Sequence, residues 1–330
     1  MNGYAGRFLN VDLTAGICSS FTLADTWLKK FIGGSSLAAS LYLEKFNLHA
    51  DPLAPENPLM IMTGPLVASG FPGSSRFAVA AKSPQTGIWG EAACGGTFGP
   101  ELKRAGYDGI VITGQSPAPA TISIINGTAA ISPADNLWGK DIYEVTDFFK
   151  AQNKGLKVLA IGPAGENLVK FSAVGNDKAH FLGRTGMGAV FGAKKLKAIV
   201  VYGNQAILKA NEEQYKKIFK NALAEIKDSA FAASLHLMGS DAAMDLGMMT
   251  GDIPIKNWTC GEDFEMASKL SGPTMRETYL TREHACAHCP VACKRVVAVK
   301  DGPYKTEEGP GPEYETCATF GTMIMNHDLA

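Results

Sequence analysis

Along the first two hundred residues, apolar positions fall in short runs cut by glycine and proline. Arg7 to Leu13 alternates with period two, Thr14-Ala15-Gly16 is a turn, and Ile17 to Leu23 returns, which predicts a hairpin. Leu59 to Thr63, Phe77 to Ala81, Gly109 to Thr113, Thr121 to Ile125, Val158 to Ile161 and Ala198 to Val201 read as further strands. Asn126-Gly127 between two apolar runs signals a second tight hairpin. Helical spacing appears over Asp25 to Phe31 and Leu37 to Phe46, with Gly33-Gly34-Ser35-Ser36 as the break and N-cap between them. Phe98 to Ala105, Ile142 to Lys150 and Ala189 to Leu196 are the other helices of this half. Scattered helices among many strands predict an α+β fold, not a regular βαβ alternation.

After Gly203 the pattern changes. Glu212 to Lys227 is an amphipathic helix, and helical patterns with glycine breaks continue towards a cysteine array. A boundary within Asn204 to Asn211 divides the chain into a β-rich domain, residues 1–205, and the start of a mainly helical domain, residues 206–330. No internal repeat and no low-complexity tract is read.

Composition narrows the function classes. The 330 residues are 46% hydrophobic and 19% charged, with a net charge of −1, so neither nucleic acid nor an anionic membrane surface is an expected partner. Stretches such as LMIMTGPLVASGF are too short or too broken to span a bilayer. The opening MNGYAGRFLNVDLTAG has no basic n-region and no apolar core, so no secretory signal is expected. Seven unevenly spread cysteines do not make a disulfide framework, and a reducing cytoplasm is the expected compartment.

Cys286, Cys289 and Cys293 form a C-x2-C-x3-C array in HACAHCPVACKR. Thiolates at this spacing on a tight turn converge on one metal centre, suited to an iron–sulfur cluster, with structural zinc and free thiols as the alternatives. His284 and His288 lie inside the array, as zinc ligands or as solvent-facing loop residues. A four-ligand cluster needs one more donor: Cys18, Cys94, Cys260, Cys317 or a group outside this chain. Cys317 lies in the helical stretch EYETCATFGTMIM and reads equally as a buried small residue.

Three glycine-rich segments, residues 63–77, 91–109 and 183–198, are candidate ligand cradles. Gly186-x-Gly188 is a poor dinucleotide fingerprint, because no strand is read immediately before it and no βαβ unit with an acidic partner follows. A glycine turn before a helix still exposes N–H groups to an anion, and Arg76 and Arg184 add charged donors for a phosphate-bearing cofactor. The alternative is that these are tight turns in a compact sheet.

The residues GRFLNVDLTAG, FIGGSSLAA, NPLMIMTGPL, SSRFAVAAKSPQTG, CGGTFGPELKRAGYDGIVITG, LWGKD, IGPAGENLVKFSAV, GRTGMGAVFGAKKLKAIVV, the cysteine array and GPEYET occur in one order along nearly the whole chain. With them the sequence resembles the tungsten-containing aldehyde:ferredoxin oxidoreductase family. The resemblance implies a β-rich base domain followed by mainly helical domains. It implies a tungsten or molybdenum ion held by two pyranopterin dithiolenes, a Mg ion bridging the pterin phosphates, and a [4Fe-4S] cluster. By that resemblance Arg76 lies between pterin and cluster, the Ala93 carbonyl helps bind Mg, and Gly95, Gly183 and Arg184 contact pterin. His180 and Phe181 stand where an Arg-Ala pair is common, which leaves the Phe181 backbone as the Mg contact. Cys286, Cys289 and Cys293 are implied cluster ligands, and Glu315 the active-site carboxylate.

The implied reaction oxidises a small aldehyde to a carboxylic acid and passes electrons to ferredoxin or another electron-transfer protein. Glu315 is the expected general base, tuned by burial, with Glu313 in a structural role at the start of the following helix. Family members continue well past Ala330, so the chain reads as an N-terminal portion, expected not to retain the full cofactor alone. Two other classes stay open: a bis-pterin molybdenum reductase, and a non-catalytic subunit stabilised by iron–sulfur or zinc. Substrate identity, tungsten against molybdenum, and a homo-oligomeric state are not legible.

Overall fold

The computed structural model describes residues 1–330, apart from the side chain of Ala243. They separate into two compact units, Met1–Tyr215 and Lys216–Ala330.

The first unit is α+β and carries two six-stranded sheets. The first sheet uses β1 (Phe8–Asp12), β2 (Ile17–Phe21), β3 (Leu59–Met62), β4 (Phe77–Lys82), β5 (Trp89–Cys94) and β6 (Gly109–Thr113), in the order β2-β1-β6-β3-β4-β5. The second uses β7 (Ala120–Ile125), β8 (Thr128–Pro133), β9 (Lys157–Ala160), β10 (Val174–Asn176), β11 (His180–Leu182) and β12 (Leu196–Tyr202), in the order β11-β10-β9-β12-β7-β8. Read from the other edge, the second order repeats the first. In each sheet the first and last strands pair in parallel (β1 with β6, β7 with β12) and every other pair is antiparallel.

The unit is therefore an internal duplication, which corrects the reading of no repeat. Its trace in sequence is thin. Gly99, Ile110, Val111 and Gly114 in the first half recur at the same spacing as Gly188, Ile199, Val200 and Gly203 in the second. The glycines recur for a steric reason. A Cβ on Gly99 would stand 3.0 Å from the Ser75 carbonyl oxygen, and one on Gly188 would stand 2.8 Å from that of Ser172. Each half thus packs a helix, Phe98–Arg104 or Met187–Ala193, directly against the backbone before its fourth strand.

Period-two alternation sorts the side chains into layers. Leu9, Val11, Ile61, Val79, Ile110, Ile124, Leu159, Ile199 and Val201 share one buried core with Phe98, Leu102, Met187 and Phe191 of those two helices. On the other face of the first sheet, Phe8, Met60, Met62 and Val111 pack against Leu28 of helix Asp25–Phe31 and Leu37, Leu41 and Tyr42 of helix Gly34–Lys45. On the other face of the second, Val158, Ala160, Ala198 and Val200 pack against Val145 and Phe149 of helix Ile142–Gln152. That helix starts on a capping box between Asp141 and Glu144. The Asn126-Gly127 turn has φ of 48° and 89°, the pair of positive values a tight hairpin with right-handed twist needs.

The second unit packs Met244, Met248, Ile253, Met266, Leu270, Met275 and Cys317 into a methionine-rich core among short helices. Beside them runs a small antiparallel sheet of β13 (Leu280–His284), β14 (Lys294–Val297) and β15 (Gly309–Pro310). Among the described residues, no helix is long and apolar enough to cross a membrane.

Candidate active site

The two sheets each end on a short strand, β5 and β11, and each of these runs into a glycine turn and then a helix. A strand does therefore precede Gly186-x-Gly188. His-Phe-Leu is too short to register as one, and β11 is separated from β12 by antiparallel neighbours, so no dinucleotide unit results.

The edges are tied together reciprocally. Thr97, in the turn after β5, donates to Asp177 in the β10–β11 turn. Ser83, in the β4–β5 turn, donates 2.9 Å to the carbonyl of Thr185, in the turn after β11. The Thr185 hydroxyl lies 3.3 Å from the Glu91 carbonyl on β5. Asn176, fully buried, donates 2.9 Å to the Gly95 carbonyl, and its own Oδ1 is buried without a donor.

Most of the cofactor residues expected from sequence lie along this seam. The exposed Arg76 guanidinium donates 3.2 Å to the Ala93 carbonyl, so the two meet. Ala93 is exposed on β5 and Gly95 is buried just after it. His180 is buried on β11 and stands behind the first turn: a Cβ on Gly96 would be 2.9 Å from its Nδ1 and 2.6 Å from Asn176 Nδ2. Phe181, Gly183 and Arg184 face solvent along β11 and the second turn. Gly96 and Gly186 both have left-handed φ, 85° and 71°, and a Cβ on Gly186 would fall on the Lys170 carbonyl. Each half thus offers a glycine-lined turn, and an arginine, Arg76 or Arg184, flanks the seam from each half. Asn176, Asp177 and Ser83 were not legible as site residues. The only signal was a polar Asn-Asp pair closing an apolar run.

The motifs LWGKD and IGPAGEN have a physical reason. Lys197 is fully buried and bonds to Glu166 and to the Lys140 carbonyl, the latter at 2.6 Å. Glu166 also accepts from the Gly139 N–H at 2.8 Å. One buried ion pair therefore clamps both loops to β12.

In the second unit, Cys286, Cys289 and Cys293 occupy the loop between β13 and β14. All three are half-buried and none is in a disulfide. Cys289 N–H donates 3.0 Å to the Cys286 carbonyl, and His288 and Ala292 take positive φ to turn the loop. Burial, then the Glu313 carboxylate and the two other cysteines, push the Cys293 thiol up. Among the described residues, no group of three or more His, Cys, Asp or Glu side chains is gathered to hold a single ion. Three soft thiols on one loop are donors of the right chemistry for a sulfur-bridged iron centre. Cys317 is buried in the methionine core, Cys260 is exposed beside an isolated bridge to Ile255, and Cys18 and Cys94 lie in the first unit.

Glu313 is the N-cap residue of helix Tyr314–Phe320. It accepts 2.7 Å from Ser240 Oγ and pairs with Lys294, a structural role. Glu315, two residues on, is exposed, so residues of this unit do not supply the burial expected to tune it. Asp241 lies beneath this helix, 1% exposed, with neither carboxylate oxygen bonded to a donor in acceptable geometry. Burial, with Glu313 and Glu315 nearby, pushes its carboxyl up to about 7, against the pull of the Cys317 thiol.

Fold and site together define a duplicated α+β scaffold with two glycine-lined turns, joined in sequence to a thiol-bearing helical unit. Residues 8–203 match the family model for the aldehyde ferredoxin oxidoreductase N-terminal domain, and residues 217–330 match that for domains 2 and 3. The tungsten-containing aldehyde ferredoxin oxidoreductases of Thermococcus kodakarensis and Pyrococcus furiosus are 38% and 36% identical over the whole chain. The WOR-like subunit of an aliphatic sulfonate oxidoreductase from Pyrococcus furiosus is 31% identical over 98% of it. Among solved structures, the BamBC active-site complex of benzoyl coenzyme A reductase, bound to 1,5-dienoyl-CoA, superposes with a TM-score of 0.84 at 26% identity. That match covers 98% of this chain and 52% of the other. The chain spans about half, 54%, of the length of the curated relatives it matches. It belongs to the aldehyde ferredoxin oxidoreductase family.

Proposed function

We propose that this chain forms the pterin-binding base and the cluster-bearing region of an oxidoreductase that converts an aldehyde to a carboxylic acid at a tungsten or molybdenum bis-pyranopterin centre. The observation that carries the reading is the duplication: two glycine-lined turns, on facing sheet edges, suit a cofactor made of two like halves. The residues fit it. Gly96 and Gly186 keep space that a side chain would fill. Arg76 and Arg184 are guanidinium donors matched to phosphate. The Ala93 carbonyl and the Phe181 backbone are oxygen donors of the kind a Mg ion takes.

Arg76, Gly95, Gly183 and Arg184 orient the two pterins, with His180 bracing the first turn from behind. Cys286, Cys289 and Cys293 hold the [4Fe-4S] cluster. When bound, the metal centre would supply Lewis acidity and two-electron redox chemistry, and a cluster on the cysteine loop would supply a one-electron outlet suited to ferredoxin. Glu315 takes the proton from the water that adds to the aldehyde carbon. Aldehyde and water then yield carboxylic acid, two protons and two electrons.

The test is metal, sulfide and pterin analysis of the anaerobically purified full-length protein, with aldehyde-dependent reduction of a viologen dye. Glu315→Gln is expected to keep tungsten and iron and lose at least a hundredfold in kcat, within the usual range for a general base. Zinc without iron, sulfide or tungsten would leave a structural module and end the redox reading. Full activity in Glu315→Gln would remove that residue from the mechanism.

A further inference from the structure

We propose that Arg295 is a positioning residue for the iron–sulfur centre: it fixes the second half of the cysteine loop and holds a permanent positive charge against it, which raises the centre's reduction potential. This rests on the cluster reading of Cys286, Cys289 and Cys293.

Arg295 is the second residue of β14 and is only 3% exposed. Its guanidinium makes four hydrogen bonds, all to main-chain carbonyls. Nε donates 3.2 Å to Cys293 and Nη2 donates 2.9 Å to Ala292, both in the cysteine loop. Nη2 also donates 2.9 Å to His236, and Nη1 donates 3.2 Å to Leu237, in the last turn of helix Ala230–Met238. Room for the stem is kept by Gly239, whose φ is 71° and whose Cβ would stand 3.2 Å from the Arg295 Cγ and Cδ. The preceding carbonyl, that of Val291, lies 2.8 Å from His236 Nδ1. Every carbonyl from Val291 to Cys293 is therefore held, including that of Ala292, a non-glycine residue at φ 50°. The planar fork makes four donations to carbonyls on two elements, one more than the three N–H groups of an ammonium can make.

The charge is the second part of the inference. Nearby cations are paired: Arg276 with Glu283, Arg282 with Glu308 and Lys294 with Glu313. Arg295 bonds to no carboxylate. A buried cation needs an anionic counterpart. The helix C-terminus supplies part of it, equivalent to about half a charge. Glu283, the Cys293 sulfur and Asp241 act on it as further anionic neighbours, and of these Cys293 belongs to the loop. A thiolate-bound cluster becomes more negative on reduction, so a fixed positive charge beside it favours the reduced form.

The experiment is an EPR-monitored redox titration of the anaerobic full-length protein, with iron and sulfide counted in the same samples. Arg295→Gln, neutral but still a donor, is expected to keep iron and sulfide and to shift the equilibrium about tenfold towards the oxidised form, 59 mV for one electron. Arg295→Lys, charged but unforked, is expected to titrate near the wild-type potential with an altered EPR line shape. A wild-type potential in Arg295→Gln overturns the proposal, leaving Arg295 a helix cap. If Arg295→Gln loses its iron, Arg295→Lys decides: a wild-type potential supports the role of charge, and a tenfold shift overturns it. Wild-type protein without iron and sulfide would instead end the cluster reading on which the inference stands.

Discussion

Replacing Lys197 with Met tests whether the Lys197–Glu166 pair is the clamp that seats the loops of the first unit. Lys197 has 0% and Glu166 5% side-chain exposure. Met keeps most of the stem's volume and removes the charge, so packing changes little. What remains is a buried Glu166 carboxylate whose other bonds come from the Gly139 N–H. Removing one partner of a buried pair costs about 3–5 kcal/mol, because the other charge is left uncompensated. For a unit of this size each kcal/mol moves Tm by roughly 2–4 °C, so Lys197→Met is expected to lower Tm by about 6–20 °C. Glu166→Gln in the same chain removes the stranded charge, and the double variant is expected to recover more than half of the loss. Urea or thermal unfolding followed by circular dichroism checks this. A double variant as unstable as Lys197→Met would refute the reasoning, because the loss would then come from the amine's bond to the Lys140 carbonyl and not from the stranded carboxylate.

Three further outcomes follow from the same geometry. Gly186→Ala is expected to cost several kcal/mol, since its Cβ meets the Lys170 carbonyl at a left-handed φ. Gly183→Ala, three residues earlier and open to solvent, is expected to stay within about 0.5 kcal/mol, and equal melting temperatures for the two variants would contradict the packing described. Burial pulls the Lys194 ammonium down to about 8, so between about 8 and 10.5 the folded state binds fewer protons than the unfolded one and stability rises with pH. Lys194→Met is expected to flatten that rise in unfolding curves taken across the window, and an unchanged slope would show that the amine is not the titrating group. Asp241 behaves in the opposite sense: its folded carboxyl titrates at about 7 against 3.8 unfolded, so stability falls as pH rises between those values. Asp241→Asn is expected to remove that fall, and a fall that persists in the variant would place its origin elsewhere.

Both hairpins, the helix Asp25–Phe31 and the strand Gly109–Thr113 were legible because turn chemistry and periodicity act locally. The strands β5, β10 and β11 were not. Trp-Gly-Glu-Ala-Ala-Cys and His-Phe-Leu owe their extended form to edge pairing with β4 and β10, not to their own preference. Missing those strands hid the duplication, since the matched orders appear only once every strand is placed. The cysteine array was legible because its chemistry rides on side chains close in sequence. Arg76 was reached from its glycine-rich segment and Ala93 through resemblance alone, and their contact was reached by neither. Arg295 was not reached at all, because its acceptors are carbonyls on an element far back in the chain.

The duplication also explains why the two turns need not be equivalent. Backbone positions correspond: Ser75 meets Gly99 as Ser172 meets Gly188, and at the spacing those glycines set, Gly96 and Thr185 both take left-handed φ, 85° and 62°. The charges do not correspond. Following Ser75 the first half has Arg76, where the second has Ala173. Preceding Thr185 the second half has Arg184, where the first has Gly95. Each half thus places its arginine where the other has a small residue. A small residue is also required at Gly96, because Asn176 and His180 fill the space behind it. The first turn is consequently braced from within and takes its cation from the strand before. The second turn is open at Gly183 and carries its cation in the turn itself. Two like ligands on one duplicated backbone would be gripped from different sides. Exchanging the arginines is therefore not a symmetric operation: Arg184→Gly leaves the second turn without a cation, whereas Gly95→Arg puts a guanidinium at a buried position.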